Sequence, residues 1–383
     1  MAFDVVVLGA TGIQGRISTR DLLESGYSVL MCGRDRKRIE HLLKKYGKTA
    51  FEYVDLRLIN YTTSVIKKSG ASVVLNCAEG DWNLHALKAC MKAKAHCLDL
   101  GSEIGMTKSQ FALHDKLVKL GLVSITGCGS TPGINNVMLR YAAQKLDRVH
   151  SVDVGFAWSS NMETFVVPFS IRSILGEFIE PATLLKNGRF VHVKPRDVFI
   201  EQNCRDVGVQ KSFFVKHPEV YTFYRFLKSR GLRNSRVFAG FPEHSYRKIM
   251  DLIELGIESK KKIVVEGKDI KTADFLAELL KELKIPKGYR EKENLWLKVT
   301  GTHRGKEKTI HMECVVSTLK GWEDATCNVD TGMPASVMAQ MVLDGTIKER
   351  GSYAPEMVVP PKPFFRELAK RKMAVYENGK RIN

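Results

Sequence analysis

The sequence predicts an α/β chain, with a doubly wound parallel sheet at the N-terminus and a second, α+β domain built on a largely antiparallel sheet. Three observations carry this. The first ~125 residues alternate short apolar runs with helix-length segments, the rhythm of right-handed βαβ units. A glycine-rich turn follows the first apolar run directly. Beyond Leu146 the runs lengthen and are joined by turn dipeptides such as Asn187-Gly188 and Glu266-Gly267. A chain of 383 residues has room for two packed domains.

Taken in order, the first six strands are expected at Phe3–Leu8, Ser28–Cys32, Ala50–Val54, Ser72–Asn76, His96–Leu100 and Val123–Thr126. Helical segments lie between them at Ile13–Ser25, Arg36–Lys44, Leu58–Lys68, Trp82–Lys92 and Lys108–Leu117. Pro132-Gly133 then opens a helix whose apolar positions Ile134, Val137, Met138, Tyr141, Ala142 and Leu146 keep the 3.6-residue period. Longer strands follow at Ser151–Trp158, Arg189–Val193, Lys262–Glu266, Leu295–Gly301 and Thr309–Val316, and the chain turns helical again from Met333.

Composition narrows the function. Hydrophobic residues make up 44% and charged residues 27%, so the chain is globular rather than disordered. No apolar stretch reaches the ~18 residues of a membrane span, and a strand starting at Phe3 leaves no room for a signal peptide. Eight cysteines without a CxxC pair point to a reducing compartment, hence to the cytoplasm. The net charge of +18 fits a nucleic-acid partner, a Lys-rich surface or a site for anionic ligands. No RNA-binding signature or zinc-finger spacing accompanies it, so nucleic acid is not the expected partner. Scattered histidines, with no HxH or HxxxH pair, predict no metal site.

The strongest local signal is Val5-Val6-Val7-Leu8-Gly9-Ala10-Thr11-Gly12-Ile13-Gln14-Gly15. Gly9 permits the tight turn, Gly12 lets backbone approach a pyrophosphate, and Gly15 lets the helix pack close to the strand. Thr11 stands where GxGxxG has its middle glycine. This is a Rossmann-type dinucleotide turn. At the end of the second strand, Gly33-Arg34 precedes Arg36, Lys37 and Arg38, which favours the 2′-phosphate of NADP; Asp35 keeps NAD open. Asp55 is placed to meet the adenine amino group, and Asn76, Cys77 and Ala78 to lie along the nicotinamide-side ribose.

With these residues in view, the chain resembles the saccharopine dehydrogenase-like oxidoreductases, a group that includes saccharopine reductase, carboxynorspermidine dehydrogenase and lysine 6-dehydrogenase. The resemblance rests on Gly9–Gly15, Leu75–Ala78, Ala95–Leu100, Gly129–Asn136, Ser173–Val193, His217-Pro218-Glu219, and the closing run from Thr331 through Gly345, Gly351, Pro355-Glu356 and Phe364-Phe365. It implies a dinucleotide-binding domain (1–127), a domain carrying substrate and dimer contacts (128–330), and a C-terminal segment (331–383) packing back on the first. It implies hydride transfer between a nicotinamide and the C–N carbon of a small amino-acid-like substrate, in a homodimer. Saccharopine reductases usually carry Asp before the Pro-Gly where this chain has Thr131. That leaves the family's other substrates open, along with a dinucleotide-binding sensor or scaffold that has lost turnover.

Such a reaction asks the protein chiefly for position. Substrate carboxylates call for arginine forks, and Arg172, Arg205 and Arg225 are the candidates. Asp99, at the carboxyl edge of the sheet, is the candidate for proton transfer or ammonium binding, whereas Glu103 reads as a loop brace. Cys77, Cys97 and Cys128 lack a basic partner and read as small buried hydrophobes. His217 lies near the expected substrate, and Asn135 and Asn136 near the nicotinamide.

Overall fold

The computed structural model describes residues 2–167, 169–258, 260–280 and 283–383. The six N-terminal strands form where the apolar runs place them: β1 (Val5–Leu8), β2 (Val29–Gly33), β3 (Thr49–Tyr53), β4 (Val73–Asn76), β5 (His96–Asp99) and β6 (Val123–Thr126). β1, β2, β4 and β6 are buried along their whole length, as strands covered by helices on both faces must be. The expected helix Lys108–Leu117 is instead two, Ile104–Phe111 and His114–Lys119, broken at Ala112-Leu113.

The remaining strands are β7 (Arg148–Ser160), β8 (Ala182–Lys186), β9 (Arg189–Val193), β10 (Phe199–Cys204), β11 (Gly208–Phe214), β12 (Asn234–Gly240), β13 (Lys262–Val265), β14 (Lys268–Lys271), β15 (Glu291–His303), β16 (Lys306–Ser317), β17 (Gly351–Tyr353), β18 (Ala374–Glu377) and β19 (Lys380–Arg381). β17 is a seventh strand of the first sheet, whose order is β17-β6-β5-β4-β1-β2-β3, parallel throughout. The second sheet runs β10-β11-β12-β7-β15-β16-β18-β19, with β8 and β9 attached beside β12. Its pairs are antiparallel except β12 with β7. The expected fold class is the observed one. The C-terminal residues serve both sheets, through β17 in the first and β18–β19 in the second.

One face of the second sheet, carrying Val152, Val154 and Phe156 of β7 and Leu295, Leu297 and Val299 of β15, joins the main core with the helix Ile134–Ala143. The opposite face carries Trp296, Phe238 and Phe214 in a separate cluster. This division decides which side chains of the second domain look toward the first.

Candidate active site

Because the first sheet is parallel, all its carboxyl ends share one edge, and the strand order reverses between β1 and β4. Open α/β sheets bind ligands at such a switch point. The glycine turn occupies it. Gly9 leaves β1 at φ +73°, and a Cβ there would lie 2.6 Å from the Ala78 nitrogen. A Cβ on Gly15 would lie 2.7 Å from Ala10 Cα, so the helix Ile13–Glu24 packs this closely only without a side chain. Gly12 differs. Its φ of −81° suits any residue, and an added Cβ would meet only the Gly9 carbonyl, at 3.3 Å. The fold leaves room there, and that room suits a phosphate approaching from outside. No side chain caps the helix at Gly12, so its first-turn N–H groups stay available to an anion. Thr11 rests against Gly33, Ile13 is exposed, and Gln14 donates from Nε2 to Asn328 Oδ1 at 2.7 Å. The turn fits a dinucleotide pyrophosphate.

On the adenosine side Arg34 is exposed at the end of β2. Asp35 is already engaged, accepting at Oδ1 from the Lys37 N–H at 3.1 Å. Asp55 is gripped by Arg57, with Nε at 2.9 Å and Nη2 at 2.5 Å, and these bonds hold its pKa down at about 2. An adenine amino group would have to share that carboxylate. Arg16, directly after the turn, has its pKa lowered by burial and by the neighbouring Arg38, so cationic groups gather here from two elements.

Below the cleft runs a closed polar network. Asn76 donates to Asn83 Oδ1 (2.9 Å) and accepts from the Ala78 N–H (3.3 Å). Asn83 in turn donates to Asp99 Oδ1 at 3.1 Å. Asp99 also accepts from Thr126 Oγ1 (2.7 Å), Gly101 N–H (2.8 Å) and Gln110 Nε2 (2.6 Å). It is fully buried, and burial raises its pKa against those bonds. With four donors on two oxygens, Asp99 is placed as a brace tying β5 to β6 and to the helix Ile104–Phe111. Cys77 lies beside Ser18, its thiol pushed up to about 12 by burial, which leaves it unreactive.

The second domain closes over this edge. Glu79, just past Ala78, meets Ser170 Oγ at 3.4 Å and Arg172 at 4.0 Å. Lys216 bridges Glu103 of the first domain (2.6 Å) and Glu180 of the second (2.8 Å). Pro218 sits over Gly101, Gly127, Pro132 and Asn136, leaving a cavity of about 10 Å³. The expected position of Glu103 in a bracing loop therefore comes with an ion pair across the cleft.

The three arginines end up in different places. Arg172 stands at the cleft mouth, exposed and paired with Asp274 at 2.7 Å. Arg225 lies over the Phe111 ring at 5.2 Å, at a contact between the domains. Arg205 binds Glu313 at 3.4 Å and the Gly379 carbonyl at 3.2 Å, and stacks on Tyr376. Glu313 is opposite Trp296 in the β15–β16 ladder, on the sheet face turned away from the first domain. Arg205 does not face the cleft.

Beside Pro218 the second domain carries a buried acidic group. His217 lies between Glu177 (3.4 Å) and Glu219 (3.3 Å), with all three side chains nearly or fully buried. Burial alone would lower the imidazole pKa, but the two carboxylates outweigh it and raise it to about 10, so His217 is a cation at neutral pH. Burial raises Glu177. Glu356, in the same cluster, accepts from Asn136 Nδ2 at 2.7 Å and is raised by burial to about 7. A second buried group lies on the sheet face of Phe156 and Leu295, where Glu293 of β15 and Asp330 share a hydrogen bond and Glu291 is close by. Apart from His217, sequence reasoning gave these residues no role in the site. Asp330 immediately precedes the Thr331 run and Glu219 closes His217-Pro218-Glu219, so both sit at the edges of segments already singled out.

Comparison with known proteins follows the same division. Residues 5–125 match the saccharopine dehydrogenase NADP binding domain, and residues 129–373 the saccharopine dehydrogenase C-terminal domain. The chain belongs to the saccharopine dehydrogenase family. It is 21% identical to carboxyaminopropylagmatine dehydrogenase of Synechocystis sp. over 97% of both chains. Its fold matches apo saccharopine dehydrogenase (L-Glu forming) from Saccharomyces cerevisiae over 100% of both chains, with a TM-score of 0.75 at 15% identity. It is an NAD(P)-dependent oxidoreductase of this family, as the resemblance in its sequence implied. The residues matched to the NADP binding domain include the glycine turn, Arg34, Asp55 and Asn76–Ala78.

Proposed function

We propose that this saccharopine dehydrogenase-like chain uses NADP to interconvert a secondary or primary amine and its imine in an amino acid or amino-acid conjugate. NADP, held by Gly9–Gly15 with Arg34 at its 2′-phosphate, would supply the hydride acceptor or donor at the C–N carbon. Arg34, exposed at the end of β2, with Arg16 and Arg38 adding positive charge close by, supports NADP over NAD.

The observation that carries the reading is His217, held as a cation between two carboxylates on the wall that closes over the sheet's carboxyl edge. Amine oxidation must release a proton from nitrogen, and imine reduction must return one. A histidine coupled to Glu177 and Glu219 can take part in that exchange without leaving net charge stranded in the cleft. The second domain also excludes water from the edge through the Lys216 bridge and the Pro218 contact. The name of the Synechocystis relative places its own substrate among amine conjugates, in keeping with this chemistry. We further infer a homodimer, as the family resemblance implies, and a cytoplasmic location, in keeping with eight free cysteines.

The test is calorimetric binding of NADP and NAD, followed by oxidation rates with saccharopine, lysine and polyamine conjugates. Turnover of one amine, lost on His217→Gln while NADP still binds, is the expected result. NADP binding without turnover of any amine would leave a dinucleotide sensor, and binding of neither dinucleotide would reject the proposal.

A further inference from the structure

The helices Ile13–Glu24 and Val329–Leu343 run side by side away from the cofactor turn. Asn328 meets Gln14 at 2.7 Å, the Gly332 carbonyl accepts from Ser18 at 2.8 Å, and Gln340 reaches Asp21 and Ser25, each at 3.4 Å. The helix Pro361–Lys370 and the segment Leu319–Trp322 lie against their far ends. The four elements do not close on one another. They leave a groove of about 880 Å³ on the side of the first domain away from the sheet's carboxyl edge. Pockets for small ligands are of this size, about 300–1,000 Å³.

The floor of the groove is apolar, with the buried side chains of Trp322, Met333 and Met341. Arg20 covers one face of the Trp322 ring at 3.6 Å, so the floor offers no open aromatic face for a base or ring to stack on. Two unbranched methionines adapt instead to an alkyl chain. The rim is charged, and its acids are largely taken. Arg371 donates to both oxygens of Asp21 at 2.8 Å, Glu367 is held by Lys370 (2.6 Å) and Arg371 (3.0 Å), and Glu24 by Arg20 (2.9 Å). Asp344 accepts from the Thr346 N–H at 2.8 Å and has no cation. Against that one carboxylate stand three cations, Lys320, Arg366 and Lys372. All three are exposed, and among the described residues their side chains make neither an ion pair nor a hydrogen bond.

We propose that this groove is a second binding site, for one molecule of an amphiphilic anion: a medium-length alkyl chain ending in a carboxylate or phosphate. The chain lies on Trp322, Met333 and Met341, and the head meets Lys320, Arg366 and Lys372. Charge complementarity sets the sign of the head, because the unpaired groups of the rim are mainly positive. The apolar floor sets the body, because inorganic phosphate alone would leave it uncovered. Neither the cofactor turn nor His217 lines the groove, so this proposal stands or falls independently of the amine reaction.

The test needs no catalysis. Octanoate and octyl phosphate, below their aggregation concentrations, are titrated calorimetrically into the whole protein beside butanoate, inorganic phosphate and octyltrimethylammonium. The two octyl anions should bind. Butanoate, shorter by four CH₂ groups at about 3- to 4-fold each, should bind about 100-fold or more weakly, and the octyl cation and phosphate should not bind measurably. Fluorescence places the site: 8-bromooctanoate should quench Trp322, and Trp322→Phe should bind octanoate without that quenching. Combined Lys320→Glu, Arg366→Glu and Lys372→Glu, at exposed positions and checked by melting curves, should weaken octanoate about 10-fold or more and erase the preference for anion over cation. If Trp322→Phe does not fold, the triple variant decides alone. The proposal is overturned by a wild type that binds neither octyl anion, by equal binding of octyl anion and cation, or by quenching that persists in Trp322→Phe. It is likewise overturned if only anionic lipid vesicles bind, or if sedimentation shows a second copy of the chain bound through the three cations while octanoate does not bind.

Discussion

The glycine turn allows folding and cofactor binding to be separated with two substitutions three residues apart. An alanine Cβ at Gly15 would lie 2.7 Å from Ala10 Cα and 2.8 Å from the Gly9 carbonyl carbon, both backbone atoms that cannot move aside. Overpacking of this kind costs about 1–3 kcal/mol in side-chain cores and more against backbone. An alanine at Gly12 would meet one atom at 3.3 Å, at a φ of −81° that alanine adopts freely. Its cost to the unliganded fold should stay within about 0.5 kcal/mol. The methyl group does, however, occupy the space in which a pyrophosphate would approach the helix N-terminus. Thermal melts and NADP titrations of the two variants should diverge: Gly15→Ala loses several degrees or fails to fold, whereas Gly12→Ala melts with the wild type and binds NADP at least about 100-fold more weakly. A Gly12→Ala protein that binds NADP normally would refute the placement of the phosphate. One that melts as early as Gly15→Ala would refute the division of labour between the glycines.

Other outcomes follow from the charged groups. Holding the Glu356 pKa at about 7 against an ordinary 4.5 costs the fold roughly 3 kcal/mol at high pH. The unfolded chain ionises first, so stability falls as pH rises from 4.5 through 7; Glu356→Gln should gain on the wild type across that window in denaturant melts, and equal behaviour at pH 4 and 8 would contradict it. His217 stabilises where Glu356 destabilises, but its pH slope runs the same way: its raised pKa stabilises the fold fully below pH 6.5, and the effect is lost as pH rises through about 10. His217→Gln should therefore be several kcal/mol less stable than the wild type at pH 6, with the gap narrowing in alkaline melts. Arg34→Ala should weaken NADP about 10- to 100-fold and leave NAD unchanged by calorimetry. Arg205→Ala should cost about 1 kcal/mol in melting experiments through Glu313 and Tyr376 and leave KM untouched. A raised KM there would show that the far sheet face communicates with the cleft.

How far the sequence could be read depended on whether a feature is local. The β1 turn is legible because its glycines, strand and helix are contiguous, and each glycine answers a steric demand that can be stated in advance. The strands from β1 to β6 are legible for a similar reason, since burial on both faces writes them as unbroken apolar runs. The hairpin of β10 and β11 has no such mark. Its residues Phe199–Asn203 alternate between exposed and half-buried positions with Glu, Gln and Asn among them, and its turn places Asp206 at φ +63° without a glycine at that position. β17, three residues long, exists only because β6 offers it an edge. Lys108–Leu117 has continuous helical character in sequence, and only packing breaks it at Ala112-Leu113.

The same distinction explains why the surroundings of the candidate substrate residues could not be read in the sequence. Arginine was sought because a carboxylate-rich substrate needs it, yet residue type alone does not reveal whether a guanidinium is free. Arg172 is taken by Asp274, Arg225 by the Phe111 ring, and Arg205 by Glu313 on the wrong face of the sheet. Asp99 sits at the carboxyl edge where a ligand belongs, but four donors have already claimed it. The buried acidic groups and the histidine among them, Glu177, His217, Glu293 and Asp330, come from four separate elements, so no spacing rule joins them. A pocket assembled this way has a consequence for the family. Any one wall can change its charge without disturbing the cofactor turn or the Asp99 brace, because neither shares a hydrogen bond with Glu293 or His217.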